Sequence, residues 1–147
     1  RNDRVQKFSS DGRFLAVLGE PGDGAGQLKR PSDVAVDAEG YLYVADWGNE
    51  RVQVFAPDGS FVLTEHGRAT LSKWAEEFFA SNPDERVTRD QSNLTPDLPE
   101  HLRATPYLIS SQTEPYFWGP VSVTLDGEGR LYVTETNRHR FQIFKRR

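Results

Sequence analysis

The 147-residue chain holds three histidines, His66, His101 and His139, and no cysteine. A catalytic zinc takes three protein ligands, each oriented by a further hydrogen bond. The histidines show no His-x-His or His-x-x-x-His spacing, so no metal site and no cofactor is expected. His66 and His139 are the two residues to check, with zinc or calcium as the ion. Without cysteine there is no thiolate nucleophile and no disulfide. Gly22-x-Gly24-x-Gly26 is as glycine-rich as a phosphate loop. It lacks the Gly-Lys-Ser/Thr of a P-loop, and Gln27 stands where Gly-x-Gly-x-x-Gly needs its third glycine. Carboxylates fall mostly in turn contexts (Asp37, Asp58, Asp126) or in a charged stretch (Glu76, Glu77). No Ser-His-Asp arrangement follows from spacing, so the chain is read as lacking a catalytic set.

Composition places the chain among globular proteins: 36% of residues are hydrophobic and 27% charged. No apolar run reaches the roughly 18 to 20 residues of a membrane-spanning helix. The net charge of −4 is unevenly spread, with nine acids against five lysines and arginines between positions 64 and 119. Nucleic-acid binding draws on a strong positive field, and no nucleic-acid partner is expected, the Arg-rich ends forming at most a local patch. A chain that opens on Arg1 and contains no methionine is expected to be a segment of something longer. The cellular compartment is not legible. Asn93-Leu94-Thr95 matches a glycosylation acceptor, but Pro96 follows it.

Internal repetition organises the rest. Asn2-Asp3-Arg4-Val5-Gln6-Lys7-Phe8 recurs 47 positions later as Asn49-Glu50-Arg51-Val52-Gln53-Val54-Phe55. A third copy, Arg140-Phe141-Gln142-Ile143-Phe144, follows 89 positions after the second. Residues 31–55 align without a gap on residues 120–144, with Pro31/Pro120, Asp37/Asp126, Gly40/Gly129, Tyr43/Tyr132, Arg51/Arg140 and Gln53/Gln142 among the identical pairs. Each unit reads as four strands; in the complete copy these cover residues 33–37, 41–46, 51–55 and 60–64. Asp-x-x-Gly and Pro-Asp-Gly supply the hairpin turns, where glycine takes positive φ. Leu42-Tyr43-Val44-Ala45 is apolar on both faces, as in a strand packed between two sheets.

The pattern Pro-x-x-Val-Ala-Val-Asp-x-x-Gly-x-Leu-Tyr-Val-Ala-Asp-x-x-Asn-x-Arg-Val-Gln-Val-Phe over residues 31–55 closely resembles the NHL repeat, and residues 19–31 resemble that family's connector into a blade. The resemblance implies an all-β fold, a partial β-propeller of four-stranded antiparallel blades carrying a long, partly helical insertion. Residues 1–19 are then the end of a first blade, 31–64 a second blade, 65–119 the insertion with a short helix, and 120–147 a third, incomplete blade. A ring in this family resembles six blades, so the chain is expected to associate with copies of itself or to form part of a larger propeller. Family relatives include a metal-dependent amidating lyase with histidine ligands in its channel. A segment of a metal-dependent propeller lyase or hydrolase is therefore the alternative to a non-catalytic scaffold. The third copy departs from the pattern, with Glu135 in place of Asp46 and Arg138 in place of Asn49.

The insertion is too long to be structureless. Residues 70–80 read as an amphipathic helix capped by Thr70 or Ser72, with Leu71, Trp74, Ala75 and Phe78 on its apolar face and Asn82-Pro83 as its stop. A mobile polar stretch with Pro96 and Pro99 is expected to follow. In an up-and-down blade the insertion emerges at the same end as the turns at residues 47–49 and 137–139. That end is the expected face for a protein or peptide partner, with Trp47, Asn49, Trp74, Phe79, Trp118 and Arg138 as candidate binding residues. Asp46, Asn49 and Arg51 also read as residues that hold their own turn.

Overall fold

The computed structural model describes residues 2–145; Arg1, Arg146 and Arg147, which the first and third units were expected to include, lie outside the described residues. Three antiparallel sheets follow one another along the chain. The first is a hairpin of β1 (Val5–Phe8) and β2 (Phe14–Leu18). Two short strands, β3 (Glu20–Pro21) and β4 (Gln27–Leu28), then pair in parallel within the connector. The second sheet is a four-stranded meander of β5 (Asp33–Val36), β6 (Leu42–Asp46), β7 (Arg51–Phe55) and β8 (Phe61–Glu65). Beyond the insertion, β9 (Pro120–Leu125), β10 (Arg130–Glu135) and β11 (Arg140–Lys145) form a three-stranded meander.

The repeated aspartates close the turns. Asp37 Oδ1 accepts from the Glu39 and Tyr41 amides while Oδ2 accepts from the Tyr43 hydroxyl. Asp126 does the same with Glu128, Arg130 and Tyr132. This use of Asp37 ends β5 at Val36, one residue before the expected limit. Ser60 is likewise held in its turn by Asp58, which moves β8 one residue later than expected.

All five residues of β6 and of β7 are buried, because the second sheet is covered on both faces. Leu42, Val44 and Phe55 pack with Leu18 and Leu28 towards the first hairpin. Tyr43, Ala45, Val52 and Val54 pack with Phe117, Val123, Leu131 and Val133 towards the third sheet. Leu28 and Phe117 occupy matching positions, 89 residues apart, and both are fully buried. Each plugs the seam between two successive sheets.

The insertion contains more helix than expected. Ser72, not Thr70, caps α1 (Lys73–Ser81) by accepting from the Ala75 amide. Asn82-Pro83 ends α1 as expected, with Asn82 as its C-cap, and Pro83 is also the first residue of α2 (Pro83–Gln91), a position where the missing N–H costs nothing. Arg86 ties the two helices together through Glu76 and also binds Asp90. The stretch with Pro96 and Pro99 leads into a short 3-10 turn, Glu100–Leu102, and then α3 (Pro106–Gln112), capped by Thr105. The expected apolar face of α1 is not covered, since Trp74 is 82% exposed and Phe78 is exposed as well.

Candidate functional site

The two repeats hold the chain that enters them by the same device. Asp46 is fully buried and pairs with Arg51 at 2.7 Å. From there Arg51 donates through Nη1 to the carbonyl of Asp23 and through Nη2 to those of Gly24 and Gln27, each at 2.8 Å. Gln53 donates to the Gln27 carbonyl and accepts from the Gly26 amide. Asn49 donates to the Gly22 carbonyl and to Asp46. One carboxylate, one guanidinium and two amides thus clamp residues 22–29 as a strap.

In the third sheet the strap is the insertion itself. Arg140 pairs with buried Glu135 at 2.7 Å and donates to the carbonyls of Glu114 and Tyr116. Gln142 accepts from the Arg68 amide and donates to the Pro115 carbonyl. Glu135 therefore replaces Asp46 with its role intact, its Oε1 accepting from the Trp118 amide. The two ends of the insertion meet at its base, where the Phe117 amide donates to the His66 carbonyl at 2.7 Å and the Ala69 amide to that of Pro115 at 3.0 Å. The insertion is an enlarged tip of the strap rather than a separate excursion.

Arg138, in the place of Asn49, reaches further. It donates to the carbonyls of Ser110 and Thr113 at the C-terminal end of α3, where the helix dipole favours a cation. Its guanidinium also lies 5.5 Å from the Trp118 ring centroid, and Tyr107 of α3 packs on the same indole at 5.5 Å. Arg138 and Trp118 therefore anchor α3 to the third sheet. Trp47 is half-buried beneath Arg30, at 5.9 Å. Phe79 is half-buried against Phe78 and Arg86, while Trp74 projects freely. Of the six candidate residues, Asn49, Trp118 and Arg138 serve the framework, and Trp74 is the one most open to solvent.

Three residues at equivalent turn positions, Asp3, Glu50 and His139, take left-handed backbone with φ of 45°, 54° and 50°. Asp3 accepts from the Arg30 amide at 2.7 Å, and Glu50 accepts from the Gly119 amide. Arg30 and Gly119 both precede the repeat proline. Each acid thus links its own sheet to the next. Burial pushes the Glu50 carboxyl up to about 7, with a further upward push from Glu135, against the opposing Gly119 N–H. Glu50 was not singled out from the sequence, although the pairing of Asp3 with Glu50 across the 47-residue offset was visible there.

His66 and His139 line different clefts, and among the described residues no group of three or more histidines or carboxylates is placed to hold a metal ion. His66 stacks on Tyr116 with ring centroids 5.9 Å apart. Burial lowers its pKa, aided by the Arg51 charge and opposed by Glu65, so it is neutral at pH 7. No described helix is long and apolar enough to cross a membrane.

The NHL repeat family matches residues 28–55 and 117–144. The E3 ubiquitin-protein ligase TRIM71 of Rattus norvegicus is 59% identical over 49 residues, covering 32% of this chain and 6% of that protein. NHL repeat-containing protein 3 of Homo sapiens is 42% identical over 57 residues, 39% of this chain and 16% of that protein. Protein lin-41 of Caenorhabditis elegans is 41% identical over 62 residues, 42% of this chain and 5% of that protein. The chain spans a small fraction of each relative. The matched segments begin on the buried plugs Leu28 and Phe117 and end on the phenylalanines that close β7 and precede the end of β11: the chain carries two NHL repeats, at residues 28–55 and 117–144.

Proposed function

We propose that the chain is a propeller segment that serves as a non-catalytic scaffold, binding a protein or peptide partner through the end that carries the insertion. The observation that carries this reading is the exposed apolar surface of α1, with Trp74 82% and Phe78 54% exposed, on an insertion clamped at its base by Arg140, Gln142 and Arg138. Exposed aromatic side chains on a rigidly held support are the common anchors of protein interfaces. Trp74→Ala and Phe79→Ala, together with replacement of residues 70–112 by a short link, are expected to remove captured partners while the sheets stay folded. Unchanged capture by all three would defeat the reading.

The outer face of the third sheet supports the larger assembly. Phe141 and Ile143 are 61% and 51% exposed, whereas Val52 and Val54, their counterparts in the second sheet, are 1% and 6% exposed. In this reading a further blade, from another copy or from a longer chain, covers that face as the third sheet covers the second.

A further inference from the structure

Three carboxylates are buried among the described residues: Asp46, Glu50 and Glu135. Asp46 is met by the Arg51 guanidinium, the side-chain amides of Asn49 and Gln53 and the backbone amide of Lys29. Glu135 is met by Arg140, Gln142 and the Trp118 amide. Glu50 has one donor, the Gly119 amide, and no ion-pair partner among the described residues. An ionised carboxylate held in the interior by a single N–H is poorly solvated, whereas a neutral one keeps a carbonyl oxygen for the same bond. The cations around it are committed elsewhere: Arg51 to Asp46, Arg140 to Glu135, and Arg138 to the carbonyls of Ser110 and Thr113. α3 brings no charged side chain, and Glu135 on β10 and Asp33 on β5 are acids themselves.

The single bond of Glu50 is also a crossing between sheets. The Asn137 amide donates to the Trp118 carbonyl, and the Thr136 amide and hydroxyl donate to that of Gly119. A Cβ on Gly119 would run into Thr136 and Asn137. Trp118 and Gly119 are thus built into the third sheet, and α3 goes with them through Arg138 and the Trp118 ring. The same helix packs on the turn at residues 47–49 of the second sheet. Along the neighbouring strands, Asp33 of β5 accepts from the Ser122 hydroxyl at 2.7 Å and the Val123 amide at 3.0 Å on β9. The β5–β9 contact is a line about which the turn ends of the two sheets can part while the core between them stays packed.

We propose that the Glu50–Gly119 contact is a pH-operated latch: it is closed while Glu50 is neutral, and on ionisation the turn ends part along β5–β9, drawing α3 and the base of the insertion away from the second sheet. The latch goes beyond the binding reading, because it sets where the insertion stands whatever binds there. The first test is amide hydrogen exchange on the whole chain from pH 5.5 to pH 8.5, each rate divided by its intrinsic value at that pH. With Glu50 at 4.5 when solvated and about 7 when closed, opening is favoured about thirtyfold across that range. The Gly119 amide is expected to lose protection by that factor, while Val123 and Val133 keep theirs. Glu50→Gln keeps an acceptor and cannot ionise, so its Gly119 protection is expected to be flat. Equal losses at Val123 and Val133 mean global unfolding and overturn the proposal. So does the same loss at Gly119 in Glu50→Gln, or no loss there in the parent. The second test needs no variant: the carboxyl carbon of Glu50 is followed by NMR in the labelled parent. A midpoint near 7 is expected, and one below pH 6 overturns the proposal.

Discussion

The Glu50 carboxylate accepts the backbone N–H of Gly119, 69 positions along the chain and at the entry to the next repeat. Only 4% of Glu50 is exposed, so this bond fastens the second sheet to the third inside the protein.

Glu50 makes that junction sensitive to pH. Its folded-state pKa is raised from 4.5 to about 7, so the folded protein holds a proton that the unfolded chain has released. The stability associated with the protonated form is complete below pH 4.5 and is lost as pH rises through 7, a loss of about 3 kcal/mol for a shift of this size. Glu50→Gln keeps an acceptor for Gly119 and removes the charge. Urea denaturation of both proteins at pH 5 and pH 8 is expected to show the variant gaining on the parent by about that amount at the higher pH. A constant difference between the two would mean that Glu50 ionises normally.

Arg51→Ala strips the second-sheet clamp and strands a fully buried carboxylate, so a loss of about 3–5 kcal/mol in urea denaturation is expected. The Arg140 side chain is more exposed, at 22%, and its removal is expected to cost less globally. It is expected to accelerate amide hydrogen exchange across residues 113–118. Unchanged exchange there would show that Gln142 and Arg138 hold the insertion without it.

Phe117→Ala opens a hole in the seam between the second and third sheets. A loss of about 3–5 kcal/mol is expected. Leu28→Ala, at the matching seam, is expected to cost about 2–5 kcal/mol. A loss below 1 kcal/mol at either site, read from the same denaturation curves, would show that its seam repacks.

Trp74→Ala touches a side chain that the fold leaves in solvent. Its melting temperature is expected to match the parent, within the roughly ±0.5 kcal/mol typical of surface changes, while partner capture falls. Coupled losses of stability and capture would instead assign Trp74 to the framework.

Phe141→Asp with Ile143→Asp places charge on the open face of the third sheet. If copies of this chain join through that face, light scattering is expected to show a lower solution mass for the double variant than for the parent. An unchanged multimeric mass would place the contact elsewhere.

The sheets were legible because three copies of one pattern lie in register, and because Leu42-Tyr43-Val44-Ala45 is apolar on both faces. The clamp was legible in part: Asp46, Asn49 and Arg51 read as a local turn, but their longer reach to carbonyls at residues 22–27 depends on how the connector folds back. Arg138 illustrates the limit. Its departure from asparagine was plain, yet its purpose depends on α3, whose short run from Pro106 to Gln112 has weak helical periodicity. Asn82-Pro83 marked the end of α1 correctly but hid the start of α2, since proline both ends helices and begins them. The exposure of Trp74 was hidden because an amphipathic pattern does not say what, if anything, covers its apolar side.

The insertion leaves and rejoins the sheets through two adjoining backbone bonds, His66 with Phe117 and Pro115 with Ala69. With its ends pinned side by side, its length is nearly uncoupled from the stability of the sheets. Loop-closure entropy grows only logarithmically, so lengthening a tip of about 5 residues to about 45 costs only about 2 kcal/mol. The base behaves as a socket. The length and sequence of the segment above it can therefore change at this one place while the repeats below stay the same.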